Sequence, residues 1–140
     1  MNILFFLTPK EKVAYIYDNY TIRQTLEKME YHRYSSIPII NKEGKYVGTI
    51  SEGDLLWYIK NQHNLDFKKA EDIPITEVPR KHDNYGIYVN TKIDDLIIAS
   101  TQQNFIPVLD DRDTFIGIVT RKDIIQYLLK KKLTTPFDYT

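Results

Sequence analysis

Apolar and polar residues follow the same order in two stretches of this chain. Residues 36–59 read SIPIINKEGKYVGTISEGDLLWYI, and residues 105–128 read FIPVLDDRDTFIGIVTRKDIIQYL. The two stretches align without a gap at an offset of 69 residues, and many of the differences exchange one side chain for a similar one. The identical pairs are Ile37/Ile106, Pro38/Pro107, Gly48/Gly117, Asp54/Asp123 and Tyr58/Tyr127. A repeat of this length is a whole supersecondary unit, so the chain carries two copies of one unit.

Each copy carries the signals of a helix, two strands and a second helix. Ile22, Leu26 and Met29 are spaced as on one face of a helix, and the preceding Thr can cap it. The first copy is predicted to form a helix over 21–31, strands over 37–40 and 46–50 around a turn at 41–44, and a helix from residue 51. The second copy is predicted to form a helix over 94–101, strands over 106–109 and 115–119 around a turn at 110–113, and a helix over 124–129. A further short strand is predicted before each copy, at 15–17 and 87–89.

These elements predict an α+β fold of two α-β-β-α repeats packed about a pseudo-twofold axis, each with a small mixed three-stranded sheet. Neither repeat alone has enough apolar surface for a core, and packing one on the other supplies it. The predicted division is an N-terminal apolar segment at 1–14, repeats at 15–60 and 86–133, a linker at 61–85 and a C-terminal tail at 134–140.

Two segments outside the repeats carry weaker signals. The linker is polar, and Pro74 and Pro79 interrupt any long helix. A structureless connection of this length is uncommon in a compact domain, so we predict a short helix over 67–71. Residues 3–7, ILFFL, indicate a short buried strand or an edge segment; the alternative is an apolar handle for a partner chain.

The composition narrows the classes of function. The chain carries 19 basic and 19 acidic residues, so it lacks the positive excess with which proteins capture nucleic acid or an acidic membrane surface. It has no cysteine for a disulfide, a thiolate nucleophile or a zinc site, and its three histidines show no metal-ligand spacing. Its first residues lack the apolar run of a signal peptide or a membrane span. We expect a cytoplasmic protein without a metal or other cofactor, and no enzyme, since no glycine-rich phosphate loop is present.

One motif stands at the same place in both copies. It reads Gly48-Thr-Ile-Ser51-Glu-Gly-Asp54 in the first and Gly117-Ile-Val-Thr120-Arg-Lys-Asp123 in the second. A Ser or Thr opens a helix, and an Asp follows three residues later. Taken from one copy alone, this spacing favours a capping box, in which the acidic side chain bonds back to the capping residue.

The repeated pattern resembles the CBS domain, and residues 14–131 resemble a tandem pair of such domains, the Bateman module, of the stand-alone bacterial type. The resemblance implies that an adenosine ligand (AMP, ADP, ATP or cyclic di-AMP) binds between the copies with its ribose on the motif Asp. A carboxylate can accept hydrogen bonds from both ribose hydroxyls, and the start of a helix favours a phosphate. Capping and ribose binding both stay open for each Asp, and the repeat favours ribose binding in at least one copy.

The two copies differ in charge beside the motif Asp. Arg121 and Lys122 precede it in the second copy, whereas Glu52 and Gly53 precede it in the first, so the second copy suits a phosphate better. The alternative for the two cations is a solvated helix start. The resemblance implies that each pocket combines the motif of one copy with the strand and early helix of the other. The stronger pocket is predicted to contain Thr120, Arg121, Lys122, Asp123, Tyr20, Thr25, Ser36 and Ile37, and the weaker one Ser51, Asp54, Asn90, Asn104, Phe105 and Ile106.

Two further arginines lie near these pockets. Arg33 follows the first helix near the expected phosphate, although a solvated role is favoured. Arg80, after Pro79 in the linker, could reach across the cleft between the copies.

The leading hypothesis of function is a sensor of adenosine nucleotides that forms a homodimer and regulates a partner protein of unknown identity. The alternative is a dimerisation module without a ligand. Under that alternative, Asp123 would serve only as a capping residue.

Overall fold

A computed structural model describes residues 2–62 and 66–134 of the chain. The described residues form strands β1 (Thr8–Pro9), β2 (Ile16–Tyr17), β3 (Ser36–Ile40), β4 (Tyr46–Ser51), β5 (Ile87–Tyr88), β6 (Phe105–Leu109) and β7 (Phe115–Thr120). They also form α-helices α1 (Ile22–His32), α2 (Glu52–Asn61), α3 (Phe67–Ala70), α4 (Ile93–Gln102) and α5 (Arg121–Thr134), with 3-10 turns at Ile3–Phe6, Lys10–Lys12 and Ile75–Glu77. The predicted C-terminal tail beyond residue 134, and residues 63–65 of the predicted linker, lie outside the described residues.

The repeats form two sheets of matching topology. In the order β2-β3-β4, β3 is parallel to β2 and antiparallel to β4, and β5-β6-β7 has the same directions. Both hairpins shift register at the same place, between Ile39 and Ile40 and between Val108 and Leu109. The predicted α+β fold of two α-β-β-α repeats is therefore confirmed.

Helix boundaries in the first repeat follow from local chemistry. Thr21 caps α1: its hydroxyl accepts from the backbone N–H of Gln24, and the Gln24 side chain accepts from the N–H of Thr21. The helix ends at Arg33, whose left-handed conformation (φ 58°) turns the chain towards β3. This turn brings the end of α1 beside the first residues of β3.

The N-terminal segment packs on the second repeat. Residues 3–7, expected as a strand or an edge segment, instead begin with the 3-10 turn Ile3–Phe6, and the edge strand β1 follows at Thr8–Pro9. The turn places Ile3 and Phe6 on one face, where both join the core of the second repeat. The Asn2 side chain caps the turn by accepting from the Leu4 N–H. β1 then pairs antiparallel with β7 and extends the second sheet to four strands.

A third apolar cluster joins the two repeats. It consists of Val13, Ile40, Phe105, Phe115 and Ile118. Beside it, Lys45 and Thr114 form a bridge between the repeats, and the Phe115 N–H donates to the Gly44 carbonyl at 2.9 Å. Lys45 and Thr114 are counterparts in the sequence repeat, so the pseudo-twofold axis passes between them.

The linker packs on the first repeat. The short helix predicted over 67–71 is present as α3 (Phe67–Ala70). The 3-10 turn Ile75–Glu77 follows, with the Ile75 N–H donating to the Tyr20 carbonyl at 2.8 Å. Ile75 and Val78 are buried in the core of the first repeat. The chain then crosses towards β5 along the outer side of β4.

Candidate ligand site between the repeats

A cavity of about 260 Å³ lies between the two repeats. We call it the cleft cavity, and its walls include Arg33, Ser36, Asn104, Phe105, Ile118 and Thr120. Four of the predicted site residues therefore meet here: Ser36 and Thr120 from the stronger predicted pocket, and Asn104 and Phe105 from the weaker one. The structure brings residues of both predicted pockets to one cavity.

The cavity is built where β3 and β6 begin. The Asn104 side-chain amide donates to the Ser36 hydroxyl at 3.4 Å, which links the two repeats across the cleft. Equivalent backbone bonds hold each strand start to a helix start, since the Glu52 N–H donates to the Ser35 carbonyl and the Arg121 N–H to the Asn104 carbonyl, both at 2.9 Å. The pseudo-symmetry of the fold thus sets the position of these polar groups.

Thr120 ends β7 and Asp123 lies in the first turn of α5, and the two residues line different cavities. The Thr120 hydroxyl accepts from the Asp123 N–H at 3.2 Å and lines the cleft cavity. Asp123 lines a second cavity of about 640 Å³ between α5 and the N-terminal turn, together with Phe5, Phe6 and Tyr127. Its carboxylate accepts no hydrogen bond from any residue of the described ranges.

Asp54, the counterpart of Asp123, is engaged at both oxygens. One oxygen accepts from the Ser51 N–H at 3.1 Å, which completes a capping box with the Ser51 hydroxyl. The other accepts from the Lys81 N–H of the linker at 3.1 Å. Of the two interpretations of the motif, capping describes Asp54, whereas Asp123 makes no such bond.

The two cations beside Asp123 do not line the cleft cavity. The Arg121 Nε donates to the Ser100 carbonyl at 2.7 Å, and Lys122 is exposed. Ser100 lies in the last turn of α4, whose carbonyls lack partners within the helix and attract a cation. The Arg121 side chain therefore ties α5 to α4, and its predicted contact with a phosphate stays a prediction.

The remaining predicted site residues lie away from the cavity. Ile37 and Ile106 are fully buried in the cores of their own repeats, because alternate strand residues face opposite sides. The Thr25 side chain is buried and donates to the Thr21 carbonyl at 2.9 Å. Tyr20 packs against the first-repeat core, and Asn90 is exposed.

Residues that sequence reasoning missed or discounted also line the cleft cavity. They include Val13, Tyr34, Ser35 and Ile118, together with Arg33, for which the sequence favours a solvated role. Arg33 and Tyr34 lie within three residues of Ser36, the first residue of β3, and this closeness in sequence was the available signal. Arg33 is a cation of the cavity wall that could meet an anionic group.

Linker residues lie on the matching face of the first repeat. Asp83 accepts from the Thr49 N–H at 2.9 Å, and the Asn84 side chain donates to the Phe105 carbonyl at 3.0 Å. Together with the bond from Lys81 to Asp54, these contacts engage part of the weaker predicted pocket. The two sides of the inter-repeat cleft are thus different.

Membrane-spanning helices and clusters of metal-ligating side chains do not occur among residues 2–62 and 66–134. No helix there is both long and apolar enough to cross a membrane. No three side chains of the metal-ligating types come together in the same ranges.

Tandem repeats with matching sheets and a shared cleft define the class of this protein. A model of the CBS domain matches the chain twice, at residues 6–61 and 71–130. These matches cover most of the chain, so it belongs to the CBS-domain family.

Three known proteins show this likeness. The crystal structure of CbpB in complex with c-di-AMP has 28% sequence identity and a TM-score of 0.82, covering 93% of this chain and 85% of that one. An uncharacterised protein of Methanocaldococcus jannaschii is 26% identical over 137 residues, which are 89% of this chain and 49% of that protein. This chain therefore spans about half the length of that relative. The A-adding tRNA nucleotidyltransferase of Aquifex aeolicus is 31% identical over 111 residues, which are 78% of this chain but 12% of that enzyme.

Proposed function

We propose that this chain is a cytoplasmic regulatory module that binds an adenosine nucleotide between its repeats and thereby changes its affinity for a partner protein. The observation that carries the proposal is the cleft cavity, whose walls come from both repeats. The Asp123 carboxylate lies three residues beyond Thr120 of the cavity wall and accepts no hydrogen bond from the described residues. The likeness to CbpB, which was crystallised with c-di-AMP, supports it. By thermodynamic reciprocity, the partner alters nucleotide affinity by the same factor.

The candidate ligands are AMP, ADP, ATP and cyclic di-AMP. At about 260 Å³ the cleft cavity is slightly smaller than the roughly 300–1,000 Å³ of typical small-molecule sites. We therefore assign it only part of the ligand, with a phosphate near Arg33 and Thr120 and the ribose on Asp123. The second nucleoside of cyclic di-AMP would use the larger cavity beside Phe5 and Tyr127.

A ligand-free dimerisation module is the second candidate function, and exposed apolar side chains favour it. Leu56 and Trp57 on α2, and Leu129 and Leu133 on α5, are all exposed. Exposed apolar patches mark interaction surfaces. We propose a homodimer under either function, so the ligand experiment must decide between them.

Nucleotide binding should depend on the Asp123 carboxylate. Asp123→Asn is expected to abolish binding of the cognate nucleotide, because the amide has one acceptor oxygen in place of two. The stability of the unliganded protein should stay unchanged, since the carboxylate makes no hydrogen bond with the described residues. For the wild type, a ligand at 100 times its Kd adds about 2.7 kcal/mol, a thermal shift of several degrees. Calorimetric titration and thermal unfolding with the four nucleotides measure both effects.

Asp54→Asn is the matched control. It should cost about 1 kcal/mol of stability through the lost cap, while nucleotide affinity at Asp123 is retained. Equal loss of binding in both variants would contradict the assignment of the ribose to Asp123. No thermal shift with any nucleotide would favour the dimerisation module.

A further inference from the structure

Residues 80–84 of the linker, which we call the strap, cross the first repeat at the place where β1 crosses the second. Ile118 of β7 lies opposite Thr8 of β1, but Thr49, its counterpart on β4, stands at the edge of its sheet. Asp83 supplies the missing acceptor, since its carboxylate accepts from the Thr49 N–H at 2.9 Å. Thr49 is buried, and an unpaired N–H there would be costly.

The strap fits closely against a motif glycine. A Cβ at Gly48 would collide with the Asp83 carboxylate and would lie 2.7 Å from the Arg80 Nε. Arg80 holds the same carboxylate by two bonds, from Nε at 2.7 Å and from Nη2 at 3.3 Å. Such a two-point contact orients the carboxylate towards Thr49.

Three further hydrogen bonds hold the strap across the side of the cleft that contains Asp54. The Lys81 N–H donates to Asp54 at 3.1 Å, and the Asn84 side chain donates to the Phe105 carbonyl at 3.0 Å. The Tyr46 hydroxyl donates to the Asn84 carbonyl at 2.6 Å. The motif carboxylate and a strand carbonyl of the weaker predicted pocket are therefore bonded to the chain itself.

We infer that the strap occupies the side of the inter-repeat cleft that holds Asp54. Each chain then binds a single nucleotide, on the side that holds Thr120. The Asp83 carboxylate of the strap accepts from the Thr49 N–H, and the Asn84 side chain donates to the Phe105 carbonyl. A nucleotide that entered the cleft on the side of Asp54 would have to replace these bonds. The stoichiometry rests on the proposed function, whereas the closure of the cleft by the strap does not.

Amide hydrogen exchange tests the closure without any ligand. In Asp83→Ala, exchange of the Thr49 amide should become faster by about tenfold or more, the factor that corresponds to losing a hydrogen bond to a charged group. The Ile118 amide, which lies beside β1, should keep its wild-type rate. Asp72→Ala is the control in the linker, since Asp72 is exposed and its backbone N–H donates to the Lys69 carbonyl within the linker. Arg80→Ala should loosen the strap while Thr49 keeps Asp83 as its acceptor. It is the variant to measure if Asp83→Ala does not fold.

Calorimetric titration with the four nucleotides tests the stoichiometry. Wild type and Asp72→Ala should bind one nucleotide per chain, and Asp83→Ala or Arg80→Ala should gain a second, weaker event. Two binding events in the wild type, or an unchanged Thr49 exchange rate in Asp83→Ala, would overturn the inference. If no nucleotide binds the wild type, the proposed function fails, and the Thr49 amide still decides whether the strap closes the cleft.

Discussion

Tyr46 connects three parts of the molecule through one side chain. Its hydroxyl lies 2.6 Å from the Thr49 hydroxyl and donates to the Asn84 carbonyl of the strap, while its ring stacks on Phe115 of the second repeat. Burial raises the pKa of the Tyr46 phenol above its usual range, although the hydrogen bond with Thr49 acts in the opposite direction. Ionisation would remove the donor to Asn84 and leave a charge on a largely buried oxygen.

Alkaline stability should therefore depend on Tyr46. A group whose pKa is raised by folding contributes stability that is full below its unfolded pKa, about 10 for tyrosine, and is lost as the pH rises through the folded value. The wild-type Tm should fall above about pH 10. Tyr46→Phe should cost about 1 kcal/mol at pH 7 through its lost hydrogen bond and show a shallower alkaline decline. Tyr31→Phe, at an exposed ring, should match the wild type in both respects, and an equally steep decline in Tyr46→Phe would contradict the assignment.

At the scale of elements, two extended segments, β1 and the strap, each lie against an outer strand of a repeat. β1 lies against β7 at Gly117, and the strap lies against β4 at Gly48. A Cβ at Gly117 would collide with the Thr8 carbonyl, and its φ of 154° is itself unfavourable for other residues. Each motif glycine thus permits a neighbouring segment to approach a strand.

Replacing a strand glycine and replacing a helix glycine with alanine should have opposite effects on the stability of the protein. Gly117→Ala should destabilise the protein by about 1–3 kcal/mol and detach β1, because strain and collision act together. Gly53→Ala, in α2, should stabilise by about 0.5–1 kcal/mol, since a Cβ there meets only the Ser51 Oγ at 3.7 Å. Urea unfolding measures both changes. Destabilisation of similar size in the two variants would contradict this account of Gly117.

At the scale of the whole molecule, the fold was predictable because its signals are local and occur twice. Thr21 and Ser51 mark helix starts in the sequence, and the repeat supplies the pairing of the strands. The site was harder to predict, because the pattern of charge along the chain does not say whether a cation contacts a ligand or a helix carbonyl. Arg121 donates to a carbonyl of α4. The second hydrogen bond to the Asp54 carboxylate comes from Lys81, a linker residue outside the repeated motif, so the motif gave no indication of it. The N-terminal segment also gave no indication that β1 would join the second sheet.

The shared cluster between the repeats predicts that the two repeats unfold together. Trp57, the only tryptophan, lies on α2 of the first repeat, so its fluorescence reports on that repeat, whereas far-UV circular dichroism reports on all helices. Ile124→Ala removes a buried side chain from the second-repeat core and should cost about 2–5 kcal/mol, lowering the Tm by roughly 10 °C. Because Phe105, Phe115 and Ile118 pack against Ile40 of the first repeat, the Trp57 transition should shift as far as the dichroism transition. A Trp57 transition that stayed at the wild-type temperature would show that each repeat folds alone, and a ligand in the cleft would then have no rigid unit through which to act.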